Sequence, residues 1–320
     1  MEAPKTLIAM AYSSSYIVSM RRIRFLVIAV LFTLAPAAWS NTLTLLLSDT
    51  AGPFAEFANV LNNALAETSW KITVIGPGEN AEPNIGRPDL LVTAGSEALR
   101  QALRRGSATP IIATLLPRQG YEKIVAEFGK GRGRSTAIYL DQPPARQAVF
   151  LRHLLPGLKR VGVLYSSESR ATAGLYRHVF GQAGLMLDSE DSDTDNTLLP
   201  AVNALLPRVN VLLANPDSTI YKRDNIKAIL VTSYRHQRPV VAFSPAFVNA
   251  GAFAALYSTP TQIAHQTADL ITNLGATLPA PMAPSQFAIS INQNVAQALG
   301  LHPPDEANIR RAMLAEREPK

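Results

Sequence analysis

The residues able to do chemistry are few, and each falls short of a reactive site in a definable way. Ser96 stands in "TAGSEAL", between an apolar run and a helical one, as a nucleophile on a strand-to-helix turn does. That turn needs G-x-S-x-G, whereas residues 94–98 read A-G-S-E-A. Ser96 is therefore expected as a helix N-cap, its hydroxyl accepting from a backbone N–H of the first turn. The same helix start, opened by Gly95, could greet a carboxylate. The histidines His153, His178, His236, His265 and His302 show no HExxH or paired spacing, and none stands at a strand end. An exported hydrolase using Ser96 or Ser166 would lack its base. "DSDTDN" places Asp191, Asp193 and Asp195 as in a calcium loop, but Asn196 and Val202 occupy the positions that need Gly and Glu. "GKGRGR", from Gly129, lacks the GxxxxGK[ST] spacing that cradles phosphates. The chain has no cysteine, which excludes disulfides, thiolate metal sites, cysteine nucleophiles and a lipid anchor on an N-terminal cysteine. No catalytic residue, metal or cofactor is predicted.

What recurs instead is a polar cluster after each apolar run. "TLTLLL" ends in Ser48-Asp49-Thr50, "DLLVTA" runs through Thr93 into Gly95-Ser96, and "TPIIAT" ends at Thr114. "RVGVLY" leads into Ser166, Ser167 and Glu168, and "VNVLLA" into Asn215, Pro216, Asp217, Ser218 and Thr219. "VVAF" is followed by Ser244, and "AALY" ends at Tyr257. Each cluster alone is ordinary turn chemistry. Together, at the carboxyl ends of parallel strands, they are where an open α/β sheet binds ligands.

The elements that would position them alternate. Candidate strands begin at Thr42, Lys71, Asp89, Thr109, Ser135, Arg160, Asn210, Pro239, Ala252 and Gln286. Between them Phe54, Phe57, Ala58, Leu61 and Leu65 share one helical face, as do Ile263, Thr267, Leu270, Ile271 and Leu274. Strands this apolar are covered on both faces, so the pattern predicts βαβ units in parallel sheets. Ten strands exceed one small doubly wound sheet, and 320 residues allow two lobes. The prolines of "LDQPP" mark a crossing near residue 140; returns are expected after Phe243 and at "LPAPMAPS". The expected division is 41–139 plus 244–282 for an N-terminal lobe and 140–243 plus 283–320 for a C-terminal lobe.

From Met20 the chain reads as a secretory signal. Arg21, Arg22 and Arg24 precede the apolar run Phe25 to Leu34, and Ala38-Trp39-Ser40 offers a cleavage site after Ser40. Residues 1–19 precede that better start. The run is shorter than the ~20 residues of a membrane span, and no other stretch is long and apolar enough. Removing residues 1–40 leaves 26 of the 30 basic and 23 of the 24 acidic residues, net +3. That mild balance is not the footprint of a nucleic-acid binder. The expected address is the bacterial periplasm, as a soluble monomer.

The stretch "LRHLLPGLKRVGVLYSSESRATAGLY" resembles the periplasmic substrate-binding proteins of ABC transporters, of the type I, amino-acid-binding branch. "VNVLLANPDSTIY", "PVVAFSPAFVNAGAFAALYSTPTQIAHQTADLI" and "FAISINQNVAQALGLHPP" carry the likeness onward, over most of residues 42–304. "LLPRQGY" departs from it where the family often has Asp-Pro, and "STAIYL" replaces a commoner Thr-Gly. The resemblance implies two Rossmann-like lobes with parallel sheets, joined by a three-strand hinge. It implies closure on a small polar molecule, an amino acid or related compound, that is handed to a membrane permease driven by an ATPase. By position its ligand contacts would be Ser48, Thr93, Ser96 and Thr114 in the first lobe. Tyr165, Ser166, Glu168, Asp217, Ser218 and Thr219 would supply those of the second, with Ser244 from the loop after "VVAF". Asp217 would face an ammonium, and the helix starts at Ser96 and Ser167 to Ser169 a carboxylate. A sensor signalling to a membrane kinase or chemoreceptor would need the same cleft.

Overall fold

The computed structural model describes residues 41–78, 87–106, 108–129 and 134–316. The expected signal, residues 1–40, and most of "GKGRGR" lie outside these. The first sheet is built from β1 (Asn41–Leu47), α1 (Pro53–Leu65), β2 (Trp70–Ile75), β3 (Leu90–Ala94), α2 (Ser96–Arg104), β4 (Ile111–Leu116), α3 (Arg118–Phe128) and β5 (Ser135–Tyr139). Its five strands lie in the order β2-β1-β3-β4-β5, all parallel. Leu43, Leu45 and Leu47 point to one face and Leu46 to the other, and all four are buried. Covering both faces is what makes these strands read as continuous apolar runs.

The chain then enters a second sheet through α4 (Pro144–Leu154), β6 (Arg160–Tyr165), α5 (Ala173–Gln182), β7 (Met186–Asp191), α6 (Asp195–Leu205), β8 (Val211–Leu213), α7 (Arg223–Arg235), β9 (Val240–Ala242), α8 (Pro245–Asn249) and β10 (Ala254–Tyr257). It returns to the first sheet as α9 (Pro260–Thr272), whose Ile263, Ala264, Ala268 and Ile271 pack with Phe57, Leu61 and Leu65 of α1. It ends on the second sheet with β11 (Ala288–Ile291), α10 (Gln293–Ala298) and α11 (Glu306–Ala315). The six strands run β11-β10-β9-β8-β6-β7, parallel except for the β10–β11 pair. These two mostly parallel sheets with flanking helices are the α/β class that the alternation predicts.

Two differences from the sequence reading stand out. Segment 244–257, expected in the first lobe, belongs to the second sheet: Ala254 and Ala255 pair in register with Val241 and Ala242 of β9. The Phe247 and Val248 side chains of α8 lie in that sheet's core as well. The return therefore comes at Ser258, not after Phe243. The second difference is β7, an edge strand whose sequence "MLDSED" is too polar and too exposed to show an apolar run.

The three crossings are tied to one another. The Gln142 Nε2 donates to Ser258 Oγ (2.8 Å), and Ser258 Oγ donates to the Gln286 carbonyl (2.6 Å). Arg146 donates to Gln142 Oε1 and to the Pro284 carbonyl, each at 2.9 Å. Residues of the first, second and third crossing thus share one partly buried hydrogen-bond network.

Candidate functional site: the cleft between the two sheets

In each sheet, successive connections leave a first strand in opposite directions, so a crevice opens beside it. In the first sheet the reversal lies between β1 and β3, in the second between β6 and β8. Such switch points are where open α/β sheets take ligands.

At the first reversal, Ser48 follows β1 and Gly95 follows β3. The Ser48 hydroxyl accepts from the Ala98 N–H (2.9 Å), in the first turn of α2. Gly95 is the N-cap at φ +90°, and a Cβ there would lie 2.6 Å from Ser48 Oγ. The capping hydroxyl expected from Ser96 thus comes from Ser48 on the neighbouring strand. Ser96 is the first helical residue, exposed into the cleft. Thr93 and Thr114 are fully buried in the sheet and line no part of the cleft; Thr114 Oγ1 donates to the Thr93 carbonyl.

At the second reversal the clusters after β6 and β8 interlock. Ser166 Oγ donates to Asp217 Oδ2 (2.7 Å) and accepts from the Glu168 N–H (3.1 Å). Asp217 Oδ1 accepts from the N–H groups of Thr219 (2.9 Å) and Ile220 (3.1 Å). Both oxygens of Asp217 are therefore engaged within the protein, at 4% exposure. The ammonium partner expected at Asp217 is instead a staple between two strand ends. Ser218 Oγ donates to Glu168 Oε2 (2.7 Å), and Thr219 gives only its backbone. Ser244 caps α8 by accepting from Phe247 N (3.3 Å) and lies outside the cleft.

The cleft itself is a cavity of about 560 Å³. Ser96, Gln119, Gly120 and Lys123 line it from the first lobe, and Glu168, Asp217, Ser218, Tyr221 and Phe243 from the second. Among the described residues one ion pair spans it: Lys123 Nζ on α3 lies 2.7 Å from Glu168 Oε1. The hydrogen bond from Lys123 is the main cause that holds the Glu168 carboxyl below its ordinary range.

Around Gln119 the cleft continues into a second cavity, of about 220 Å³, against the first crossing. Arg118, Tyr139, Asp141, Tyr176 and Asn215 line it. Asn215, at 5% exposure, has no partner for either amide atom among the described residues. The buried hydroxyls of Tyr165 and Tyr221 likewise have none. Burial pushes both phenols above their ordinary range, and Tyr165 lies near enough to Tyr176 and Tyr221 to raise both further. Burial also raises the Asp141 carboxyl, to about 6. Sequence reasoning noted Asn215 only as part of a turn cluster and missed Asp141 and α3. Their signals were there: an acid at the crossing "LDQPP", and "PRQGY" at the point where the chain departs from its family's pattern.

Two crevices facing each other across a three-stranded hinge, with buried hydrogen-bonding groups left open between them, define a hinged receptor for a small molecule. Residues 84–312 match the model of the ABC transporter substrate binding protein family, and the chain belongs to that family. Such proteins bind a small molecule and work with a membrane permease and its ATPase; they are not enzymes. No curated protein matches the chain.

Among solved structures, a ligand-free, open substrate-binding protein with adhesive properties from Clostridium difficile is 15% identical (TM-score 0.63; 84% of this chain, 97% of that one). An ABC domain in complex with L-Trp from Streptococcus pneumoniae is 19% identical (TM-score 0.58; 85% and 98%). A conserved domain protein from Vibrio cholerae is 19% identical as well (TM-score 0.57; 86% and 98%). At these identities the likeness is one of fold. None of these findings supports the sensor reading. Among the described residues no helix is long and apolar enough to cross a membrane.

Proposed function

We propose that this protein captures a small polar molecule, an amino acid or related compound, between its two lobes and delivers it to an ABC importer from the periplasm. It does so as a soluble monomer, after removal of a signal that ends at Ser40. The observation that carries this reading is a pair of buried, unpartnered hydrogen-bonding groups that line the cleft and its extension: the Tyr221 hydroxyl and the Asn215 amide. Each such group costs about 1–3 kcal/mol if nothing satisfies it. A polar ligand that closes the lobes does. Tyr221 and Phe243, edge-to-face at 6.0 Å, add an apolar wall suited to a side chain or ring. The relative solved with L-Trp is consistent with a ligand of that kind.

The test is a thermal-shift screen against amino acids, short peptides, nucleosides and organic acids. A ligand at 100 times its dissociation constant stabilises by about 2.7 kcal/mol, roughly 5–10 °C for a chain of this size. Gly120→Leu is the control. A Cβ at Gly120 meets only Pro117 and Ser96, each at 3.8 Å, so a leucine side chain can start there without a clash and project into the cleft that Gly120 lines. Its helix propensity is the better by up to about 1 kcal/mol. The expected result is a ligand-dependent shift in the wild type that Gly120→Leu abolishes while the fold persists. A shift unaffected by Gly120→Leu, or no shift with any class, overturns the reading.

A further inference from the structure

We infer that Asp141 and Asn215 form an anchor for a primary ammonium group and its neighbouring oxygen, in the cavity where the cleft meets the first crossing. This deepens the proposed function and rests on it. It also moves the charged contact from Asp217, where sequence suggested it, to an acid on the hinge.

Three observations converge. Asn215 presents a buried amide with both its acceptor and its donor unpartnered, lining this cavity. Asp141 lines the same cavity, half-buried, and among the described residues forms no ion pair. Its Oδ2 accepts one hydrogen bond from another residue, the Arg118 N–H at the start of α3 (2.6 Å). The Arg118 guanidinium does not neutralise it, because its Nε is given to Glu122 Oε1 (2.7 Å). Among the described residues, the groups facing Asp141 are therefore mostly acidic or neutral: Glu122 on α3, Tyr139 at the end of β5 and Tyr176 on α5, with Arg118 the one base.

A carboxylate in such a place has its ionised form disfavoured until a cation arrives. An ammonium supplies the charge and donors for Asp141 and for Asn215 Oδ1. Asn215 Nδ2 is then left to donate to an oxygen next to that ammonium. A free α-ammonium beside a carbonyl oxygen has this pattern, whether it belongs to a single amino acid or to the first residue of a short peptide. Tyr139, Pro143, Pro144 and Tyr176 line the same cavity as the pair. Asp141 has a purely architectural alternative, as an acceptor at the α3 N-terminus, and Asp141→Asn separates the two because an Asn side-chain oxygen accepts the same bond.

The experiment compares the whole protein with its Asp141→Asn, Asn215→Ala and Gly120→Leu variants, by thermal shift and titration calorimetry. Probes are an equimolar mixture of the twenty amino acids, the same mixture N-acetylated, dipeptides, nucleosides and organic acids. The expected result is binding of the free mixture or of dipeptides, with at least a tenfold loss on N-acetylation. Asp141→Asn folds and loses at least tenfold in affinity for the bound probe, and Asn215→Ala weakens it too. Wild-type binding also falls as pH drops through about 6, whereas the residual binding of Asp141→Asn does not. Equal binding of N-acetylated probes, or wild-type affinity in Asp141→Asn, overturns the anchor. If only nucleosides or organic acids bind, and Gly120→Leu blocks them, the anchor is wrong while the cleft stays the binding site. No binding of any probe removes both.

Discussion

Asp141 and Asp217 line the same interlobe space and are opposite in chemistry. Asp217 holds three donors from its own protein, so its charge is already in use. Asp217→Asn is expected to lower stability by about 1–3 kcal/mol, because an amide replaces a charged acceptor at a buried staple; a denaturant titration reads it. Asp141 works the other way. Its folded pKa, about 6, lies above the ordinary aspartate value of 3.8, so the folded state binds the proton more tightly than the unfolded chain. Stability from this group is thus lost as pH rises from about 4 to 6 and stays lost above that. Asp141→Asn should melt higher than the ligand-free wild type at pH 7.5, with the gain shrinking toward pH 4. Equal melting temperatures at both pH values would contradict the assignment. The sequence showed an acid and two prolines at 141–144; it could not show that Arg118, far back along the chain, would meet that acid or that burial would hold its proton.

At the scale of elements, ten apolar runs marked ten strands, because all but the edge strands β2 and β11 are buried on both faces and so have nothing to alternate. The same property hid which sheet each run joins. The runs at Pro239 and Ala252 look alike whether they pair with each other or part company, and the placement of β10 followed only from its register with β9. Turn clusters had the same ambiguity: Ser166 and Asp217 are each unremarkable in sequence, and their bond spans two connections. Gly95 is more legible, since a glycine before Ser-Glu-Ala at a strand end marks a close approach. Gly95→Ala places a Cβ 2.6 Å from Ser48 Oγ and 2.9 Å from the Phe54 ring, at φ +90°. A loss of about 2–5 kcal/mol is expected from the backbone strain and the clash together. Circular dichroism melts of the variant measure it, and a wild-type midpoint would show that β1 and α2 can part at no cost.

Across the whole molecule, the hinge and the Lys123–Glu168 pair set how the lobes stand. Ser258→Ala leaves the Gln142 amide and the Gln286 carbonyl without their shared partner. Stability should fall by about 1–3 kcal/mol, or roughly 2–4 °C per kcal/mol. The ion pair across the cleft is different, for Lys123 is largely exposed and such a pair contributes about 1 kcal/mol at most. That is still enough to shift a balance between open and closed forms severalfold. Lys123→Met should raise the ligand-free radius of gyration in X-ray scattering while leaving the melting temperature nearly unchanged. An unchanged scattering curve would mean that the pair follows closure instead of favouring it.

The position of α9 in the chain bears on how the molecule is made. The first sheet is complete at Tyr139, yet α1, which packs on it, also has a partner in Ile263 to Ile271, which have still to be synthesised. At ordinary elongation rates, about 5–20 residues per second, those residues emerge many seconds after β5. The amino-terminal half therefore cannot finish folding ahead of the carboxyl-terminal one, although it is translated first. Until that partner is made, the part of the α1 face that it covers stays open to water.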